Sequence, residues 1–132
     1  MRKFFDMKKI IGKFLKIEKD ITSEKGPFKL FGLFLRKYSF YEWDLVVSAP
    51  WLPTNEIASN KYITNHLRTN LEKKEMRDLA RVALVPADDP LLPEAMESFR
   101  DYGIHRDGYI EMKNEELFGQ EIRRAYVLSY GN

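Results

Sequence analysis

The chain has 132 residues, no cysteine and a formal net charge of +2. That length suits a single domain, residues 1–132, with a core of its own, and the missing thiols exclude a disulfide framework, zinc ribbons and thiol catalysis. No stretch approaches the roughly 18 apolar residues of a membrane span, and lysines interrupt the apolar N-terminal segment where a signal peptide would be continuous, so the expectation is a cytoplasmic protein with no membrane span.

The charge is unevenly placed. Residues 1–37 carry 11 Lys/Arg against 4 Asp/Glu, whereas residues 38–132 carry 11 against 16. Such polarity steers an anionic partner to the N-terminal segment, or draws one end of a protomer to the other end of its neighbour.

Arg2 to Asp20 has helical periodicity. Phe4, Met7, Ile11, Phe14 and Leu15 form one stripe, widened by Ile10 and Ile17. Lysines fill the rest of this basic amphipathic helix, residues 1–21, which packs on the core or extends from it. Lys8, Lys9, Lys13 and Lys16 are its candidate anion- or partner-binding residues. The solvated face of a docked helix, an anionic membrane surface and general nucleic-acid contact all fit the pattern. Arginine is scarce here, which argues against sequence-specific reading of DNA. Gly26-Pro27 ends the segment.

Phe28 to Arg36 and Trp43 to Trp51 read as two strands of an antiparallel hairpin, with Gly32 marking a bulge or a close backbone approach. Thr54 is the expected N-cap of a helix running to about Lys74. Ala80 to Ala87 is a third strand. All three strands are apolar on both faces, which predicts an interior place in the sheet for each. Asp89-Pro90 signals the next helix, closed near Gly103. Tyr109 to Lys113 and Ile122 to Tyr130 are the last strands, with a helical turn around Glu115 to Gly119 between them. The fold class is α+β, a mixed sheet of about five strands with three helices, in the order α-β-β-α-β-α-β-β. Three modest helices leave part of such a sheet uncovered, and self-association would supply the cover.

The chemistry-bearing residues are few. His66 and His105 lack metal-ligand spacing. Asp88 and Asp89 follow the third strand, where α/β folds place ligands, and Glu111 and Lys113 share a face of a strand. Asp88/Asp89 followed by Glu111-Met112-Lys113 resembles the Asp…Glu-x-Lys signature of restriction-type nucleases. The resemblance implies a magnesium-dependent phosphodiesterase, with Asp88, Asp89 and Glu111 as ligands and Lys113 beside them. The sequence departs from that family in placing a helix between elements that normally occupy adjacent strands. On the plainer reading, Asp89 caps a helix and Glu111 and Lys113 are the wet face of an edge strand. Asp44 opens an apolar strand, and its place at the strand mouth predicts a solvated carboxylate. Trp43, Trp51, Tyr38, Phe40 and Tyr41 cluster around the hairpin, where they suit base stacking, a ligand, an interface or the core. With no assembled catalytic set, the leading expectation is a self-associating interaction or regulatory domain, a homo-oligomer without a cofactor. The nuclease-like enzyme and a weak general nucleic-acid binder are the alternatives.

Overall fold

The computed structural model describes residues 7–39, 42–104 and 108–131. Phe4, Phe40, Tyr41 and His105 lie outside them. Within them the chain forms helix α1 (Met7–Lys25), strands β1 (Leu30–Arg36) and β2 (Trp43–Ser48), helices α2 (Ile57–Asn70) and α3 (Lys73–Arg77), strand β3 (Leu79–Leu84), helix α4 (Leu92–Arg100) and strands β4 (Ile110–Leu117) and β5 (Gln120–Tyr130). The expected α+β class and mixed sheet of five strands stand, with one helix more than expected.

The sheet order is β3-β2-β1-β5-β4. β2 and β3 are parallel, joined over one face by α2 and α3, and the other neighbours are antiparallel. From β3 the chain passes through α4 on the opposite face to the far edge, β4, and returns as β5 beside β1. Helices therefore lie on both sides of the sheet.

α1 forms because Ile10, Phe14, Ile17 and Ile21 fall on one stripe, each no more than 1% exposed. With Ile63 and Leu67 of α2 they close over Phe31, Leu33, Leu45, Val47 and Tyr126. Lys25 sits in the last turn, where a cation suits the helix dipole. The helix runs past residue 21 and stops at Gly26, whose φ of 121° few other residues adopt. On the other face α4 is the one helix among the described residues that supplies cover. Leu92, Ala95, Met96 and Phe99 pack on Leu30, Ile110, Met112, Ala125 and Val127. One helix of nine residues is about 13 Å long, too short to cover five strands.

Several expectations are corrected. β3 is not interior but ends the sheet, and its residues are half-buried or exposed. Apolar side chains on both faces reflect the helices above and below, not a strand on each side. Thr54 is no cap; α2 starts at Ile57 after Glu56. The helix expected to reach Lys74 breaks at Leu71, and α3 restarts on a capping box between Glu72 and Glu75. Asp89 does not cap α4 directly; its carboxylate accepts from the Leu91 amide at 2.8 Å, a turn that precedes the helix. No helical turn separates the last two strands. They form a hairpin with positive φ at both Phe118 (55°) and Gly119 (74°), the two-residue connection that matches strand twist.

Candidate functional site

β2 alternates strictly. Trp43, Leu45 and Val47 join the core under α1, while Val46 joins the core under α4. Alternation places Asp44 and Ser48 with Val46, on the α4 side. Asp44 is 2% exposed, which corrects the expectation of a solvated carboxylate. It lies opposite Phe34 of β1 and Arg81 of β3, so the arginines that meet it come from both neighbouring strands. Arg36 Nε lies 3.0 Å and Arg81 Nε 3.4 Å from Asp44 Oδ2. A buried carboxylate requires such counter-charges. Pairing is incomplete, because among the described residues Asp44 Oδ1 and Ser48 Oγ are buried without a hydrogen-bond partner, and the Arg36 Nε contact is an ion pair without hydrogen-bond geometry.

Asp44 lies at the side of a groove of about 240 Å³ on the part of the α4 face that α4 leaves open. Phe34, Val46 and Ala83 form its floor. Pro86, Asp89 and Leu91 wall one side, and Leu117, Phe118 and Gln120 of the β4–β5 hairpin wall the other. Phe118 holds a left-handed backbone conformation that costs a bulky residue about 1–3 kcal/mol, and its ring lies 6.4 Å from that of Phe34. The groove is mixed in character, with an apolar bed and one charged cluster.

The residues expected to form a nuclease-like site do not meet. Asp88 and Asp89 follow β3, while Glu111 and Lys113 lie on β4, at the opposite edge of the sheet. The faces differ as well: Asp89 borders the groove on the α4 side, whereas Glu111 lies opposite Tyr126, on the α1 side. Glu111 there approaches Arg124 at 3.7 Å, and Lys113 is exposed. Among the described residues, no three His, Cys, Asp or Glu side chains are grouped to hold a metal ion, so the magnesium implied by the resemblance has no such group to receive it.

The lysines of α1 are largely engaged within the chain. Lys13 Nζ is 2.7 Å from Glu75, Lys16 Nζ is 2.8 Å from Asp20, and Lys9 is 4.0 Å from Glu72. Lys8 is exposed. The aromatic cluster disperses. Trp43 is buried against Tyr126, Trp51 packs on Phe28 and donates to the Pro27 carbonyl, and Tyr38 is 81% exposed. His66 packs edge-on against Tyr62 on α2.

Arg36, Arg81 and Phe118 are the site residues that sequence reasoning missed. Arg36 sits two residues beyond Phe34, on the same face as Asp44, and a hairpin register would have revealed it. The parallel register that brings Arg81 to Asp44 has no local signal. The chain matches no protein-family model, and neither curated proteins nor solved structures contain a match to it.

Proposed function

We propose that this domain is a non-catalytic binding module whose site is the groove on its α4 face. The observation that carries the reading is Asp44, a buried carboxylate with an unpaired oxygen at the edge of an open apolar groove. An unpaired buried acceptor costs about 1–3 kcal/mol, so a bound group that donates to it recovers part of that cost. On the opposite face α1 and α2 pack over the middle of the sheet, and the cavity left beside Glu18 and Tyr109 is bordered by no buried unpaired side chain among the described residues. A cytoplasmic location belongs to the same proposal, since a chain without cysteine depends on no oxidising compartment. The test is a screen of small polar–apolar fragments by two-dimensional NMR on the full chain. Amide perturbations should concentrate at Phe34, Val46, Ala83 and Phe118; fragments that bind only elsewhere, or not at all, overturn the proposal.

One observation favours self-association as a second function. β3 is a rim strand whose Val82 and Leu84 remain partly exposed. The Val85 amide donates inward to Val47 at 2.8 Å, so alternation turns the amides of Leu84 and Val82 away from β2. A second copy paired along that edge would satisfy them.

A further inference from the structure

Resting on the groove as a binding site, we infer that its ligand is a small neutral amide or lactam, an apolar and preferably flat body with a hydrogen-bond donor beside an acceptor. Size comes first. About 240 Å³ falls short of the roughly 300–1,000 Å³ of pockets that hold drug-sized ligands, which suits one ring and a short head group.

The head group follows from the two polar partners. Asp44, set between two guanidinium groups, serves as an acceptor, and its Oδ1 is buried and unpaired. The ligand must therefore donate. Arg81 only donates. Its side chain is 51% exposed, and its contact with Asp44 runs through Nε, so the ligand must also accept.

Charge then decides between the candidates. A carboxylate offers acceptors alone and sets a second negative charge against Asp44. An ammonium offers donors alone and sets its charge against Arg81 and Arg36. A carboxamide or lactam meets both needs from adjacent atoms without net charge. The body is set by Phe34, Val46 and Phe118, which offer apolar and aromatic surface.

Three probes of matched shape separate these cases: benzamide, benzoate and benzylamine. Each is titrated into the full chain and followed by two-dimensional NMR. Benzamide should bind in the millimolar range expected of so small a ligand and perturb Phe34, Val46 and Ala83. Benzoate and benzylamine should each bind at least about tenfold more weakly, since a buried group left unpaired discriminates strongly. Asp44→Asn should shift the preference from benzamide toward benzoate, because the new side-chain amide can donate where the carboxylate could not and no longer repels an anion. Should Asp44→Asn fail to fold, Arg81→Gln at the exposed edge should still weaken benzamide several-fold. Groove perturbation by benzoate or benzylamine at an affinity equal to or tighter than that of benzamide overturns the amide assignment and leaves the groove as a binding site. Silence of the groove toward all three overturns both.

Discussion

Two glycines show how differently one residue type is used in this chain. A Cβ on Gly32 would lie 3.1 Å from the Tyr126 carbonyl oxygen and 3.1 Å from the Phe34 ring. The carbonyl belongs to the neighbouring strand at a register shift of the β1–β5 pair, so it has little freedom to retreat. Gly12 is on the exposed side of α1 with nothing near its absent Cβ. Gly32→Ala should therefore destabilise the fold by about 1–3 kcal/mol through overpacking, while Gly12→Ala should stabilise it by about 1 kcal/mol through helix propensity. Urea denaturation of both variants checks the pair, and equal effects would contradict the close approach. Gly32 was legible in the sequence because a glycine inside an apolar strand marks a bulge or a tight backbone contact. Asp44 was legible only as an anomaly. Its burial depends on Arg81, and nothing local in residues 79–84 announces which β2 residue will lie beside it.

At the scale of elements, α3 is the least self-sufficient piece of the fold. Five residues cannot sustain a helix alone, and tertiary contacts hold it. Glu75 closes the capping box with the Glu72 amide at 2.7 Å and receives Lys13 of α1 at 2.7 Å. Burial pushes the Glu75 carboxyl up, but the Lys13 hydrogen bond, the Glu72 amide and the charges of Lys13 and Lys9 outweigh it, so the group titrates below its ordinary 4.5. A carboxyl lowered by folding contributes stability fully above its ordinary value and loses it as the pH falls through the folded value. Lys13→Met should thus be less stable than the parent by about 1.5–3 kcal/mol near neutrality, with the gap closing below pH ~4. Chemical denaturation at a series of pH values measures it, and a gap independent of pH would remove Glu75 from the account. This contact also explains why the basic N-terminal segment was misleading in isolation. Its lysines read as a free cationic face, whereas the acidic partners they meet, Glu72 and Glu75, lie far along the chain. The strands and their hairpin were legible because periodicity is local; the break at Leu71 was not, because a charged run such as Glu72 to Asp78 is compatible with helix and turn alike.

For the whole molecule, the position of β3 separates two ways in which copies could meet. The charge polarity of the chain suggests head-to-tail attraction, but that polarity is partly consumed inside the fold by the contacts of α1 with Glu72 and Glu75 and by Lys37 with Glu121. What remains is exposed charge, screened beyond about 10 Å at 0.1 M salt. Pairing along β3 is of another kind. Backbone groups of Val82 and Leu84 would meet across a two-fold axis, and an isologous contact closes at two copies instead of growing. Charges on edge strands normally oppose such pairing, yet Arg81 leans inward to within 3.4 Å of Asp44 and is drawn off the rim. Sedimentation velocity should accordingly show a monomer–dimer equilibrium that stops at two and shifts little between low and high salt. Ala80→Pro, at the exposed start of β3, should stay folded and move the equilibrium toward monomer, because proline at a rim removes a donor and blunts the edge. A dimer that dissolves in salt, or a mass that keeps rising with concentration, would assign the contact to charge polarity; a monomer up to millimolar concentration would leave the groove as the working surface of a solitary domain.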